Sequence, residues 1–441
     1  MNKMMAKIRG GVNVPHFKET AESESVKMPP PAVVILPMQQ HIGKPCHPVV
    51  NVGDKVSVGQ MIGDSEAFIS APIHATVSGT VKAILPYSLA SGVEVDAIHI
   101  ENDGKDTSHT IKRPQIKSRE DFLQAVRQSG IVGMGGAGFP AHAKLTLKDG
   151  VKVDTLVING AECEPYITAD YREIIENHTN VLAGVELVMK YIGIDNCVIG
   201  IENNKPKAIA LLADEIVRQS MQKRISVMEL PAKYPYGSEK MIVRAVTGRT
   251  IPLGGLPGDV GIAVLNISTV SALNYYLDTG MPLVYKRITV DGKAVANPQN
   301  VIVSIGTPIQ DIINFCGGFT QEPEKIIKGG PMMGVVQQDR QTPIFKQDNA
   351  ILCLTANETY RPKDRACIRC SRCVQACPMS LTPIKVERYV NRNNDKMLKK
   401  LCISGCMECG SCAYVCPAKR PLVQHMRQGK QIERKAELIN A

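Results

Sequence analysis

Between residues 118 and 280, short apolar runs alternate with longer stretches of helical periodicity. The runs that favour buried strands are TLVIN (155–159), CVIGI (197–201), ISVMEL (225–230) and GIAVLN (261–266). After the first run, an apolar stripe at helical spacing is formed by Val181, Val185, Val188 and Ile192. Pro206 suits the first turn of the next helix. This alternation predicts a Rossmann-like α/β domain whose mostly parallel sheet gathers ligands where strands end and helices begin.

The segment from Gly43 to Leu85 has a different pattern, in which short strands are separated by glycine turns. It predicts a small β sandwich of hairpins and resembles the biotinyl and lipoyl carrier domains, a barrel-sandwich hybrid. Residues 64–70, where such carriers present their modified lysine, contain no lysine. We therefore expect the carrier fold without carrier chemistry, as a docking module. Three histidines here lack a metal-ligand spacing and are expected to be surface or hydrogen-bonded side chains: His41, His47 and His74.

After Met281 the residue pattern changes again. The segments YKRITVDGKAV and NVIVSIG are followed by a predicted helix near residues 308–315. This part resembles a small β-grasp module, and KIIKGGPMMG (325–334) follows as a strand that runs into a glycine turn. Residues 357–364 are expected to link this module to a helical C-terminal domain. A chain of 441 residues is too long for one core, and the predicted multidomain α/β chain divides into domains at 1–117, 118–280, 281–356 and 357–441.

No stretch approaches the roughly 18 to 20 apolar residues that a membrane helix requires. The N-terminus, MNKMMAKIRGGVNVP, has positive charge but neither an apolar core nor a cleavage site. We expect a cytoplasmic protein without a spanning helix, and attachment to a membrane through a partner stays open.

The cysteines give the strongest chemical signal. Eight of the 14 form two copies of C-x2-C-x2-C-x3-C-P: Cys367, Cys370, Cys373, Cys377, and Cys406, Cys409, Cys412, Cys416. In two-cluster ferredoxins with this spacing, the fourth cysteine binds the cluster of the other set. The spacing therefore predicts two [4Fe-4S] clusters. Cys367, Cys370 and Cys373 join Cys416 on one of them, and Cys406, Cys409 and Cys412 join Cys377 on the other.

Disulfides and zinc are the alternatives for these cysteines. Disulfides fit poorly because there is no export signal and cytosolic thiols stay reduced. Zinc sites usually use two separated ligand pairs rather than three evenly spaced cysteines followed by C-P. Cys402 fits neither set and is expected to be a buried free thiol. Cys46, Cys163, Cys197, Cys316 and Cys353 are expected to be structural, with Cys163 of interest for its neighbours.

The net charge of +10 is concentrated at the C-terminus. Residues 361–441 hold 17 Lys and Arg against 6 Asp and Glu, a net charge of +11, which leaves −1 for residues 1–360. One interpretation is that this charge offsets the roughly −2 carried by each oxidised cluster with its four thiolates. The other is a docking face for an acidic electron carrier. Binding of nucleic acid is not expected, because the basic residues interleave with the cysteines.

GIVGMGGAGFPAHAK (130–144) is a glycine-rich loop. Glycines leave backbone amides uncovered, so the loop can approach a planar ring or a phosphate. It is not the G-x-G-x-x-G fingerprint of an ordinary Rossmann domain, and a purely structural turn remains the alternative.

This loop, G-x-G-G-A-G-F-P-x-x-x-K, resembles the flavin loop of the NADH-oxidising subunit of respiratory complex I and related hydrogenase subunits. Three further segments agree in order: NGAECEP (159–165), YGSE (236–239) and LNIST (265–269). The resemblance implies that FMN is bound by Gly133, Gly135, Gly136, Gly138, Lys144, Asn159 and Asn266. Further residues expected to bind a cofactor are Ala137, Glu162, Gly237 and Thr269. The resemblance also implies that Phe139 and two catalytic acids, Glu164 and Glu239, meet NAD(H).

The sequence departs from that pattern at four positions. Met134 stands in place of the family's Arg, Ala161 in place of its Asp, Ser238 in place of an acid and Ile267 in place of the second Asn. We therefore expect FMN contacts that are weaker or rearranged. Glu162 and Glu164 follow a strand end, which favours a site over a solvated pair.

The order of all these parts, including RGGVNVPHFKE at the start, resembles the C subunits of Rnf-type complexes, the ion-translocating ferredoxin:NAD oxidoreductases. The related Rsx complexes, which reduce a redox-sensing regulator, use the same parts. The resemblance implies a peripheral subunit on the cytoplasmic face of the cell membrane that works with partner subunits, with ferredoxin directly or through them, and with NAD(H). A soluble NADH dehydrogenase or diaphorase subunit and a non-enzymatic iron-sulfur wire are the alternatives.

Overall fold

The structure is a computed structural model that describes residues 8–147, 150–360 and 362–440. The first part contains the strands β1 (Val26–Lys27), β2 (Val33–Pro37), β3 (His47–Pro48), β4 (Lys55–Val56), β5 (Met61–Asp64), β6 (Ile73–His74), β7 (Gly79–Ser88) and β8 (Glu94–Asn102). All but β1 form a sandwich of two small antiparallel sheets. One sheet has the order β2-β8-β7-β4 and the other β3-β5-β6. The predicted sandwich is present.

Two of the three histidines of the sandwich are buried, and His47 is exposed. His41 lies 3.6 Å from the Cys46 sulfur, and burial lowers the pKa of His41 to about 4. Burial lowers the pKa of His74 to about 3. These rings are neutral parts of the core.

The α/β domain follows as α1 (Arg119–Gln128), α2 (Ala141–Leu145), β9 (Thr155–Asn159), α3 (Ala169–Ile192), β10 (Asn196–Glu202), α4 (Pro206–Arg218), β11 (Ile225–Leu230), α5 (Glu239–Thr247), β12 (Ile262–Asn266) and α6 (Ile267–Thr279). All strands of its sheet are parallel, in the order β11-β10-β9-β12. The predicted apolar stripe of α3 is buried against this sheet and its neighbours, and Pro206 occupies the first turn of α4.

The third part is built from β13 (Tyr285–Asp291), β14 (Gln299–Ser304), α7 (Ile309–Phe315), β15 (Lys325–Lys328), β16 (Val335–Gln337) and β17 (Ala350–Leu354). Its sheet has the order β1-β14-β13-β17-β15-β16. The edge strand β1 comes from the N-terminal part of the chain and pairs in parallel with β14. This pairing joins the N-terminal region to the third module.

The C-terminal part is helical, as predicted, with α8 (Ala356–Thr359), α9 (Arg372–Ala376), α10 (Pro383–Val390), α11 (Asp395–Lys400), α12 (Ser411–Tyr414) and α13 (Leu422–Asn440). The start of the predicted linker is itself helix α8, because Thr355 and Glu358 form a capping box there. Among the described residues, none of the helices has the length and apolar character needed to cross a bilayer.

Residues 8–18, which we call the N-terminal strap, run between the α/β domain and the helical domain. The Gly11 amide donates to the Ala376 carbonyl at 2.9 Å, and the Val12 amide donates to the Tyr234 carbonyl at 2.7 Å. Gly10 has a φ of +72°, and a Cβ there would lie 2.7 Å from the Cys377 backbone. The RGGVNVP sequence is thus explained by close backbone contact with both domains.

Candidate flavin and iron-sulfur site

Two asparagines end neighbouring strands at the same edge of the parallel sheet. Asn159, the last residue of β9, is in register with Asn266, the last residue of β12. The Asn266 side chain caps helix α6 by accepting from the Thr269 amide at 3.2 Å. The Asn159 side chain donates to the Gly237 carbonyl at 2.7 Å. The structure thus brings together four of the predicted cofactor residues where a parallel α/β sheet binds its ligands.

The glycine loop lies over this edge. The Gly133 amide donates to the Phe139 carbonyl at 2.9 Å and closes the loop, while the Met134 amide donates to the Thr269 hydroxyl at 3.1 Å. A Cβ on Gly135 would lie 2.4 Å from the Asn266 side-chain nitrogen, but one on Gly136 would meet nothing within 4 Å. Residues 135–137 are exposed, so their backbone faces open space that a flat ring can fill.

The sandwich also touches the glycine loop. The Ile42 amide donates to the Gly138 carbonyl at 3.1 Å, and Gly138 has a φ of +71°. The carrier-like sandwich therefore contacts the glycine loop directly.

Lys144 and Glu239, assigned by resemblance to FMN and to the nicotinamide nucleotide, form an ion pair with each other. Lys144 lies on α2 and Glu239 is the first residue of α5. Both side chains are partly exposed, at 26% and 38%. An incoming phosphate or hydroxyl group can therefore exchange with either partner.

Glu164 is held by the glycine turn that precedes β16. Its carboxylate oxygens accept from the backbone amides of Met332 at 3.0 Å and Met333 at 2.9 Å. A Cβ on Gly330 would lie 2.2 Å from a Glu164 oxygen, so only glycine fits there. Burial raises the pKa of Glu164 to about 7. The acid thus connects the α/β domain to the third module.

The Glu162 carboxylate lies in a different environment from that of the glycine loop. One of its oxygens accepts from the Asp170 amide at 2.7 Å in the first turn of α3, and the side chain lines a cavity of about 300 Å³ with Lys18 and Lys205. Burial raises the pKa of Glu162 to about 7. Lys18, from the strap, donates to the carbonyls of Glu162 at 3.0 Å and of Glu164 at 2.9 Å.

Two charged residues of this site, one buried and one partly buried, were not predicted from the sequence. Lys286, on β13, is 3% exposed and donates to the Met134 carbonyl at 3.0 Å. Burial lowers its pKa to about 8, partly offset by Asp170. Asp170 in turn accepts from the Asn266 side chain at 2.6 Å. The strand pattern gives no signal for Lys286, because Arg287, Thr289 and Asp291 are polar residues of the same strand. Only the fold places Lys286 next to Met134, the loop position that lacks the family's arginine.

The first three cysteines of the second set and the fourth cysteine of the first set line one small cavity, which we call the second cysteine cage. Its lining includes Cys377, Cys406, Cys409 and Cys412, the four ligands expected for one cluster. Cys373 and Cys416 pack together in an adjoining apolar cluster with Cys412. No three His, Cys, Asp or Glu side chains in the described part of the chain are arranged to hold a single metal ion.

The backbone of the two cysteine loops repeats. Left-handed conformations occur at equivalent positions in both: Arg369, Ser371 and Ser380, then Glu408, Gly410 and Lys419. These conformations turn equivalent backbone amides toward cysteine sulfur atoms. The Arg369 amide donates to the Cys367 sulfur at 3.4 Å, and the Glu408 amide donates to the Cys406 sulfur at 3.3 Å. Amides that donate to thiolates favour an iron-sulfur cluster in these loops.

The cysteines outside the two sets differ from one another. Cys46, Cys197, Cys316 and Cys353 are buried. The prediction for Cys402 was wrong, because its side chain is exposed where the chain turns through a φ of +55° at the end of α11. Cys163 is half-buried and packs with Met332 against a buried group that contains Cys409. The flavin region and the second cysteine cage therefore share one apolar cluster.

Fold and site define an iron-sulfur flavoprotein. Family models match as an RnfC barrel sandwich hybrid domain at residues 6–105, a Nuo51 FMN-binding domain at 126–275, an SLBB domain at 287–336 and a 4Fe-4S dicluster domain at 366–420. These matches confirm the predicted fold class and cofactor classes, and the SLBB domain is the module expected as a β-grasp.

Curated relatives cover most of the chain. The C subunit of the proton-translocating ferredoxin:NAD(+) oxidoreductase complex of Clostridium ljungdahlii is 45% identical over 86% of this chain and 83% of its own. The Na(+)-translocating counterpart of Acetobacterium woodii is 42% identical over 89% of each chain. The C subunit of the ion-translocating oxidoreductase complex of Rhodobacter capsulatus is 40% identical over 97% of this chain and 84% of its own. The chain belongs to the family of C subunits of Rnf-type ion-translocating ferredoxin:NAD oxidoreductase complexes.

A solved structure shares the fold of a large part of the chain. It is an NAD+-reducing [NiFe]-hydrogenase in the air-oxidised state, with a TM-score of 0.50 and 17% identity over 72% of this chain and 63% of that chain.

Proposed function

We propose that this protein carries electrons between NAD(H) and the partner subunits of its complex, through FMN at the glycine loop and then through two [4Fe-4S] clusters. One observation carries the proposal: Cys163 and Met332, which adjoin the flavin residues, pack against the buried group that contains Cys409 of the second cysteine cage. FMN supplies the conversion between hydride transfer and the single electrons that clusters accept.

The glycine loop and the two asparagines suit FMN. The loop presents its exposed segment, residues 135–137, beside Asn266, and the space over Gly136 accommodates the ring. Lys144 is the cation for the phosphate. Lys286 supports the loop by donating to the Met134 carbonyl. Its buried ammonium group therefore lies next to the position where Met134 stands in place of the family's arginine.

Glu239 is the acid proposed to meet the nicotinamide nucleotide, together with Phe139 of the loop. Its partly exposed carboxylate can accept hydrogen bonds from ribose hydroxyls once Lys144 turns to the flavin phosphate. Glu164 is proposed to act at the same site. The Glu164 carboxylate accepts hydrogen bonds from the backbone amides of Met332 and Met333. It therefore orients the glycine turn of the SLBB domain at the nucleotide site.

The two clusters have different surroundings, which suggests an order. The cluster of Cys377, Cys406, Cys409 and Cys412 adjoins the flavin region. Cys367 and Cys370, of the other cluster, are exposed, and so are Arg365, Arg369 and Arg372 around them. Electrons therefore exchange with an acidic partner, ferredoxin or a ferredoxin-like protein of the complex, at the exposed cluster.

Ion movement belongs to partner subunits in the membrane, and this protein lies at the cytoplasmic face. Either direction of electron flow is compatible with the arrangement. Anaerobic reconstitution with iron, sulfide and FMN tests the proposal, followed by cofactor quantification and NADH-driven reduction of a dye. Bound FMN with clusters but no oxidation of NADH would contradict it.

A further inference from the structure

Tyr234 carries a buried hydroxyl group that the protein leaves without a partner. The residue is 2% exposed and is among the largest fully buried side chains of the described chain. Its hydroxyl has no hydrogen-bond partner among the described residues. Buried hydroxyl groups nearly always find a partner, so an acceptor that is not a protein atom is expected beside it.

The surroundings of Tyr234 indicate where that acceptor lies. Its side chain belongs to the same buried group as Cys409, Val12 and Ala376, and Cys163 and Met332 pack against this group. Burial raises the pKa of the Tyr234 hydroxyl, and the neighbouring groups Glu164, Cys163 and Cys409 add to that rise. The Glu164 carboxylate already accepts hydrogen bonds from two backbone amides and is not the partner of the Tyr234 hydroxyl. The side chain therefore lies between the flavin region and the second cysteine cage.

The backbone holds Tyr234 in this position from both sides. Its amide donates to the Val12 carbonyl at 3.0 Å, and its carbonyl accepts from the Val12 amide at 2.7 Å. The neighbouring residues of the strap contact Ala376 and Cys377. The strap thus fixes the distance between the tyrosine and the cage in which Cys377 and Cys409 lie.

We propose that the Tyr234 hydroxyl donates a hydrogen bond to a sulfur atom of the cluster bound by Cys377, Cys406, Cys409 and Cys412, and that this bond raises the reduction potential of that cluster. A hydrogen bond to cluster sulfur favours the reduced form, which carries one more negative charge. Tyr234 is therefore a tuning residue at the junction between flavin and clusters. The inference rests on the proposed cluster assignment.

Tyr236 offers a matched control two residues away. It is buried to a similar extent, at 5% exposed, but its oxygen interacts with the backbone amide of Ile8. It belongs to the group around α5 rather than to the group that contains Cys409. Loss of its hydroxyl should leave both clusters unchanged.

The test is a redox titration monitored by electron paramagnetic resonance on the anaerobically reconstituted full chain. The iron and sulfide content per chain is measured first for each protein. In Tyr234→Phe, the cluster near Cys409 should become about tenfold harder to reduce, which is a shift of about 59 mV for a one-electron couple, while the other cluster stays unchanged. A Cys370→Ser protein marks the signal of that other cluster, and Tyr236→Phe should match the wild type.

Should Tyr234→Phe fail to hold its clusters, replacement of Tyr234 by 3-fluorotyrosine keeps the shape and makes the hydroxyl a stronger donor, so the same potential should rise. Intact clusters with unchanged potentials in either variant overturn the inference, as does a shift confined to FMN. Absence of clusters in the wild-type protein would instead contradict the proposed function.

Discussion

At the residue scale, the ion pair between Lys144 and Glu239 joins groups proposed for two different ligands. Replacement of Glu239 by Gln should raise the KM for NADH by roughly tenfold or more, because a charge-assisted hydrogen bond contributes about 1.5–3 kcal/mol. FMN content should be retained, since Lys144 remains free to bind phosphate. Lys144→Met is the matched variant and should lose FMN. Steady-state kinetics with flavin quantification checks both, and an unchanged KM in Glu239→Gln would remove that acid from the site.

Glu164 should make stability depend on pH. Its pKa is raised from 4.5 to about 7 by burial, so the folded protein holds a proton there that the unfolded chain releases. The stability contributed by this group is therefore present below pH 4.5 and falls as pH rises to about 7, by on the order of 3 kcal/mol. The melting temperature of Glu164→Gln should fall less across this window than that of the wild type. Parallel profiles for Glu164→Gln and the wild type would contradict this burial effect.

At the scale of single elements, the glycine loop makes different demands at neighbouring positions. Gly135→Ala should lower both the melting temperature and the FMN affinity, because its Cβ would lie 2.4 Å from the Asn266 side chain. Gly136→Ala should leave the melting temperature of the flavin-free protein unchanged and still weaken FMN, since its Cβ projects into the open space proposed for the ring. Thermal melts and flavin titrations measure the two effects. Tight FMN binding by Gly136→Ala would place the ring elsewhere.

The elements that could be predicted from sequence are those whose signal is local. The four parallel strands and the α3 stripe follow from apolar periodicity, and the cysteine loops from spacing. The edge strand β1 could not be predicted, because two residues, Val26 and Lys27, join a sheet through Val301 and Ile302, which lie far along the chain. Lys286 and Tyr234 were missed for the same reason, since only the folded chain brings them to the loop and to the cage. The exposure of Cys402 likewise depends on the turn after α11.

At the scale of the whole molecule, the N-terminal strap holds the flavin domain against the cluster domain. Gly10→Ala should force them apart, because its Cβ would lie 2.7 Å from the Cys377 backbone, at a φ of +72°. Gly104→Ala has a similar φ of +69° with nothing within 4 Å and controls for backbone strain. Electron transfer between flavin and clusters should slow in the first variant alone, as measured by rapid mixing, with both cofactors still bound. Equal rates in the two variants would mean that the strap does not set this distance.

In the proposed function, flavin and clusters form one electron path within this chain. The most direct measurement is anaerobic addition of NAD+ to the fully reduced, reconstituted protein, with NADH determined by absorbance. The wild type should form more NADH than its bound flavin alone can form, and Cys409→Ser should form only the amount that the flavin supplies. Formation of NADH equal to the flavin content in a wild-type protein with both clusters intact would contradict it.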